Sequence, residues 1–107
     1  MALYTVAESQ RISLGQYGSA FVDTTGKYTP PSGLKIAMIT MLTDVEFSEL
    51  TPSDTSVGFG TTTASPGTGG DTVTSSDTFP AGITIYGKWD SCTLQTAGDK
   101  IIIYFGA

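Results

Sequence analysis

The sequence predicts an all-β protein, a single-domain antiparallel β-sandwich (jelly-roll-like) over residues 1–107 with one long Thr/Ser/Gly loop. The first observation is composition: 29 of the 107 residues are Thr or Ser and 13 are Gly, whereas only 14% are charged. Thr favours strands, and Gly and Ser favour turns. The second is a succession of short apolar or alternating segments separated by Gly, Pro and Asp, a pattern typical of a sandwich or a small barrel. The third is length, because a chain of this size forms one domain with one modest core.

The first half of the chain contains a plausible strand at Tyr17–Val22 and one ambiguous segment, Leu34–Leu50. The apolar residues of this segment fit either a helical stripe or a strand buried on both faces, followed by a break at Thr43-Asp44 and a second strand. Because the segment is rich in β-branched residues and has no N-cap after Gly33, we predict two strands. One face of the second strand is then expected to carry Val45, Phe47 and Glu49.

Residues 61–78 form a low-complexity tract in which 15 of the 18 residues are Thr, Ser, Gly or Asp. Such a tract cannot bury enough apolar surface to offset the entropy of ordering it. Loops beyond about 12–15 residues are uncommon unless they are functional or disordered. The tract is therefore either a mobile loop with no binding role or a projecting loop ordered by another protein chain. In the second case, Asp71 and Asp77 would meet basic groups on that chain.

The C-terminal third has the clearest strand pattern. Ile83–Tyr86 alternates, Gly87 marks a turn or a bulge, and Ser91–Thr96 alternates again. A three-residue turn at Ala97–Asp99 then leads into Lys100–Phe105, which is apolar on both faces. Such a strand is central in a sheet or covered by a neighbouring subunit. The expected core residues are Phe79, Ile83, Ile85, Ile101 and Ile103.

The residue types argue against catalysis. The sequence has no His and a single Cys, which excludes His-based acid–base chemistry, an internal disulfide and a thiolate cluster. We interpret Cys92 as a small buried hydrophobe. Asp44, Glu46 and Glu49 could form a metal site or a carboxylate pair, but charges on a solvated strand edge are the simpler explanation. The prediction is a protein with no catalytic residues, no cofactor and no metal.

Charge and hydropathy exclude two classes of partner. Ten acidic residues oppose five basic ones, the net charge is −5, and the basic residues are scattered. No stripe is therefore available to neutralise a phosphate backbone, and we expect no nucleic-acid binding. No apolar segment approaches the roughly 20 residues of a membrane span. The N-terminus also lacks the pattern of a secretory signal, so we expect no membrane partner and no export.

Two groups of segments carry a resemblance to a known family. The first is Thr78–Trp89, followed by Leu94 and Ile102–Gly106, and the second is Gly33–Ile39, followed by Phe47–Pro52. Together they resemble small virion proteins of tailed bacteriophages, notably phages of marine cyanobacteria. The resemblance lies in these short sequence segments and includes no catalytic motif.

The resemblance implies a non-enzymatic virion structural protein that is made in the host cytoplasm. Its expected place is the outer surface of the capsid, which it would decorate or cement by bridging major capsid subunits, as a homo-oligomer with a trimer favoured. The alternative is a tail, fibre or receptor-binding module in which Trp89 and Tyr86 offer stacking faces to glycans. A half-buried core Trp is the competing interpretation of Trp89. The candidate interface residues are Asp71, Asp77, Trp89 and Tyr104.

Overall fold

The computed structural model describes residues 17–61 and 66–107, which contain five strands and no helix. The strands are β1 (Ser19–Val22), β2 (Lys35–Met41), β3 (Phe47–Pro52), β4 (Thr84–Leu94) and β5 (Ile101–Gly106). They form one antiparallel sheet in the order β1-β5-β2-β4-β3. The all-β and antiparallel parts of the prediction are confirmed, and the five strands belong to one sheet. Within the described ranges, no helix is long and apolar enough to cross a bilayer.

The ambiguous segment 34–50 forms two strands, as predicted, with the break between them at residues 42–46. The prediction that Val45, Phe47 and Glu49 share one face is wrong for Glu49. Phe47 lies opposite Leu94 while Glu49 lies opposite Thr93, so β3 has an extra residue at this point. This bulge reverses the alternation, and Leu50 rather than Glu49 is fully buried.

β4 is one strand of 11 residues where the sequence pattern predicts two. Ile36 pairs with Trp89 and Met38 with Tyr86, so β4 uses one residue more than β2 between these pairs. Of the turn or bulge predicted at Gly87, the structure has the bulge, and the strand continues through it. The first half of β4 pairs with β2 and the second half with β3. The predicted turn before β5 is also present, with a φ of 93° at Gly98.

One buried cluster joins all five strands. It comprises Val22, Ile36, Ile39, Met41, Val45, Phe47, Leu50, Trp89, Cys92, Leu94, Ile101, Ile103 and Phe105. Of the predicted core residues, Ile101 and Ile103 are fully buried, and Phe79 and Ile85 pack against the cluster. Ile83 is 37% exposed, so its placement in the core is wrong. Ile83 precedes β4 at the end of the sheet, where fewer neighbours cover a side chain.

β5 lies between β1 and β2, so the strand that is apolar on both faces is an internal strand of the sheet, the first of the two predicted possibilities. On its core face, Ile101, Ile103 and Phe105 belong to the buried cluster. The ring of Tyr28 lies parallel to that of Phe105, with the ring centroids 6.4 Å apart. Tyr28 also exchanges backbone hydrogen bonds with Cys92, which ties the β1–β2 connection to β4.

Cys92 behaves as the predicted buried hydrophobe, with 1% of its surface exposed. Burial, and then the negative charge of Glu49, raise the pKa of the thiol to about 12. We expect a thiol reagent at pH 8 to leave the native protein unmodified and to label it fully in denaturant, as measured by mass spectrometry.

Because the Cys92 thiol of the folded protein keeps its proton above pH 9, the free energy of unfolding also falls as the pH rises from about 9 to about 12. Rapid labelling of the native protein would contradict both expectations.

Candidate functional site

The side of the sheet opposite the core carries a strip of uncharged apolar and aromatic side chains. We call it the outer face and define it by Phe21 on β1, Ile102 and Tyr104 on β5, Met38 on β2 and Tyr86 on β4. Phe21 pairs with Ile102, and Met38 pairs with both Tyr104 and Tyr86. Because paired residues of antiparallel strands share a face, these five side chains lie together. From the strand spacing, the strip crosses four strands over roughly 14 Å.

Exposure is concentrated at the two ends of the outer face. Phe21 is 56% exposed and Tyr86 is 67% exposed, while Met38, Ile102 and Tyr104 between them are partly buried. A single exposed hydrophobe needs no explanation, whereas an uncharged strip across four strands is a candidate binding surface.

A cleft of about 110 Å³ adjoins the outer face at Tyr86. Its apolar walls are Val57, Phe59, Tyr86, Gly87 and Trp89, and these five residues define it. The loop after β3 supplies the first two residues and β4 the other three. Val57 is 65% exposed and lies at the rim of the cleft.

Trp89 is the fixed floor of the cleft. Its indole Nε1 donates a hydrogen bond of 3.0 Å to the Phe59 carbonyl oxygen. The two rings also meet edge to face, with centroids 5.4 Å apart. A Cβ at Gly87 would lie 2.7 Å from the indole ring, so the absence of a side chain there lets the ring pack against the strand. The bulge glycine and the only Trp of the chain therefore form one structural unit.

Two charged side chains, Asp54 and Lys88, line the cleft, and a third, Asp90, directly follows Trp89 in the chain. Asp54 accepts hydrogen bonds from Ser56 through the hydroxyl at 2.6 Å and the amide at 2.9 Å, and these bonds lower the pKa of the Asp54 carboxyl. Asp90 accepts a bond of 2.6 Å from the Lys35 ammonium group, which together with its other donors lowers its pKa too. Lys88 also lines the cleft, and its charge contributes to the lowered pKa of Asp90.

A second polar cluster surrounds Glu49. Its carboxylate accepts hydrogen bonds from the hydroxyls of Thr51, of Ser91 at 2.7 Å and of Thr93 at 3.1 Å. Burial by itself raises the pKa of Glu49, but the three hydroxyl donors and the charge of Lys27 outweigh it, and the pKa is lowered. A carboxylate held ionised in this way binds its neighbours and is a poor proton donor.

Replacement of Glu49 by Gln is expected to lower the free energy of unfolding most at neutral pH. The ionised carboxylate stabilises the folded state above its unfolded pKa of about 4.5, and this contribution is lost as the pH falls through the lower folded value. Urea unfolding of both proteins at pH 7, pH 4.5 and pH 3 measures the effect. A stability difference that stays constant over these three values would contradict the assignment.

The structure gives the predicted carboxylate group separate structural roles. The Asp44 carboxylate accepts a hydrogen bond of 2.9 Å from the Ala81 amide, whereas Glu49 is bound by hydroxyls of β3 and β4. In residues 17–61 and 66–107, no group of three or more His, Cys, Asp or Glu side chains is arranged to hold a metal ion.

The four predicted interface residues occupy different environments. Tyr104 lies in the middle of the outer face, and Trp89 is 1% exposed and forms the floor of the cleft. Asp71 is exposed, and the Asp77 carboxylate accepts a bond of 2.8 Å from the Thr74 amide within its own turn. Tyr86 belongs to the outer face, as Tyr104 does, and also lines the cleft, as Trp89 does. The interface role of all four stays a prediction.

The described part of the low-complexity tract, residues 61 and 66–78, is attached to the sheet by its own chain. Thr61 exchanges hydrogen bonds with the backbone of Leu50 on the outer edge of β3, and the Val73 amide donates to the Gly60 carbonyl at 2.8 Å. Residues 66–78 contain neither helix nor strand. These anchors hold Thr61 and Val73 beside the cleft, because Gly60 directly follows Phe59. Thr61 and Val73 therefore need no contact with another protein chain to be held in place.

Sequence reasoning missed Phe21, Met38 and Val57 as surface-forming residues. Phe21 and Met38 lie in segments that were expected to be strands, but only the register of β1, β2 and β5 brings them beside Ile102 and Tyr104. The apolar residues on both faces of Lys100–Phe105 and of the segment that becomes β2 are the signals in the sequence that point to an apolar outer face.

No protein-family model matches the chain, and no curated protein or solved structure matches it. The resemblance to small phage virion proteins therefore stays a prediction. The geometry of the outer face and of the cleft carries the functional argument.

Proposed function

We propose that this chain is a non-enzymatic structural protein of a phage virion that decorates or cements the outer surface of the capsid by bridging major capsid subunits. The observation that carries the proposal is the outer face. Protein interfaces are enriched in aromatic residues and Met and depleted of charge at their centre. Phe21, Met38, Tyr86, Ile102 and Tyr104 have this composition, and the paired strands beneath them hold them in a fixed arrangement.

The size of the outer face supports binding as a homo-oligomer. From the strand spacing, the strip covers on the order of 200 Å². A stable interface buries about 800 Å² on each partner, so one strip is too small to bind tightly by itself. Several copies joined in an oligomer, with a trimer favoured, would bind a repeating capsid lattice with higher avidity. The net charge of −5 favours a partner surface with basic groups.

We also propose that the single sheet bends over its own core and so forms the two layers of a sandwich. β4 changes partner from β2 to β3 along its length and contains the bulge at Gly87. Bulges bend a strand and increase its twist, so one sheet can cover both sides of its own core. The outer face would then be the exposed surface of one layer.

Purified virions test the proposal. Mild denaturation is expected to release this chain while the head stays intact. Heads stripped in this way should bind the recombinant protein again, and the double variant Phe21→Ser/Tyr86→Ser should fail to bind. Ile83→Ser is the matched control, because this side chain is also exposed but lies outside the outer face. Detection of the chain in infected-cell lysate but never in virions would contradict the proposal.

A receptor-binding module of the tail or fibre is the second candidate. The observation that favours it is the cleft, where the exposed ring of Tyr86 lies beside the indole of Trp89 and offers a stacking surface to a sugar. Negative-stain microscopy with an antibody to this chain separates the two. Label over the head supports capsid decoration, and label on the tail supports adhesion.

A further inference from the structure

The cleft is suited to a narrower task than the outer face. We propose that it is a socket for one apolar side chain of a partner polypeptide, in which a Lys or Arg adjacent to that side chain pairs with Asp54. The nature of the partner, a capsid subunit, rests on the proposed function. The socket itself rests on the volume, the rigidity and the charge of the cleft.

The volume of the cleft limits the size of the group that can bind in it. Sites for small-molecule ligands measure roughly 300–1,000 Å³. The cleft, at about 110 Å³, is well below that range. A cavity of about 150 Å³ holds a molecule of benzene. The smaller cleft therefore accommodates a single aliphatic side chain, whereas an oligosaccharide would remain mostly outside it.

The floor of the cleft is fixed before anything binds. The hydrogen bond from Trp89 to the Phe59 carbonyl and the close approach of the indole to Gly87 hold the floor in one position. Binding to a preformed pocket avoids the entropy cost of ordering its walls. Preformed pockets that receive one anchoring side chain are where interface energy concentrates.

The charges at the rim favour a basic neighbour on the occupant. Hydrogen bonds from Ser56 lower the pKa of the Asp54 carboxyl, which is thus ionised at neutral pH. Lys88 lies near enough to Asp90 to lower its pKa, so the positive charge on the rim is partly offset within the chain. The donors to Asp54 from Ser56 are neutral and leave its negative charge available to a cation.

Trp89 provides the readout, because it is the only Trp in the sequence and lies in the cleft. The probe is acetyl-Leu-Arg-amide, titrated into the full chain while Trp89 fluorescence and the indole N–H resonance are recorded. We expect saturable binding with a dissociation constant on the order of millimolar, as for a ligand of this size. Acetyl-Ala-Arg-amide should bind about tenfold more weakly because it buries less apolar area. Acetyl-Leu-Glu-amide should bind roughly two- to fivefold more weakly because an exposed ion pair is lost.

Two variants and one control locate the binding. Val57→Ser removes an exposed wall and should abolish saturation, while Leu42→Ser, an exposed hydrophobe that does not line the cleft, should bind like the parent. Asp54→Asn should erase the preference for Arg over Glu and retain the preference for Leu over Ala.

Three results would overturn the socket. They are no response to acetyl-Leu-Arg-amide in either readout, equal binding by the Val57 and Leu42 variants, and saturable binding of chitotriose in place of the peptides. The last result would support the receptor-binding candidate. The virion-release experiment is independent of these titrations, so a failure of the socket leaves capsid decoration to be judged by its own test.

Discussion

Replacement of Trp89 by Ala is expected to lower the free energy of unfolding by about 3–5 kcal/mol, the range for deletion of a large buried aromatic side chain. Trp89 is 1% exposed and belongs to the cluster that joins all five strands. Its loss leaves a void beneath Gly87 and removes the donor to the Phe59 carbonyl. The loop after β3 would also lose its edge-to-face contact with β4.

Urea unfolding followed by circular dichroism measures this effect, since the variant has no Trp to provide fluorescence. Trp89→Phe is the matched comparison. It retains much of the apolar area and loses the indole donor, so we expect a smaller loss of about 1–2 kcal/mol from the missing hydrogen bond. A loss below about 1 kcal/mol for Trp89→Ala would show that the residue is less tightly packed than its burial indicates.

Replacement of Gly60 by Ala is expected to cost roughly 3 kcal/mol through overpacking. A Cβ at Gly60 would lie 2.5 Å from Cδ of Pro52 and closer still to the carbonyl oxygen of Leu50. The Leu50 oxygen belongs to the backbone of β3 and accepts the hydrogen bond from Thr61, so it cannot move without breaking the anchor of the low-complexity tract. The expected result combines a lower melting temperature with greater proteolysis in residues 61–78.

Gly26→Ala is the control for this substitution. A Cβ at Gly26 would meet nothing within 4 Å, and its φ lies outside the left-handed range. We expect the Gly26 variant to unfold within about 0.5 kcal/mol of the parent, or at slightly higher stability because the unfolded chain loses freedom. Equal melting temperatures for the Gly60 and Gly26 variants would contradict the close approach of Gly60 to β3.

The sequence alone was sufficient for the features that depend on neighbouring residues. The β-branched and apolar run of β2, the alternation of β5 and the turn at Gly98 can each be predicted from a few consecutive side chains. Conclusions that depend only on residue type, such as the exclusion of His-based acid–base chemistry, need no structure. The burial of Cys92 was also predictable, because a lone Cys is most often a small buried hydrophobe.

Only the tertiary structure decided register and burial at the ends of strands. Bulges in β3 and β4 reversed the expected face of Glu49 and joined two predicted strands into one. Ile83, with an alternating pattern as good as that of Ile85, is exposed because the sheet ends beside it. The cleft depends on Phe59 meeting Trp89, and the outer face depends on Phe21 meeting Ile102. Local propensity sets the conformation of each segment, whereas these pairs are brought together by strand order and register, which depend on the packing of the whole sheet.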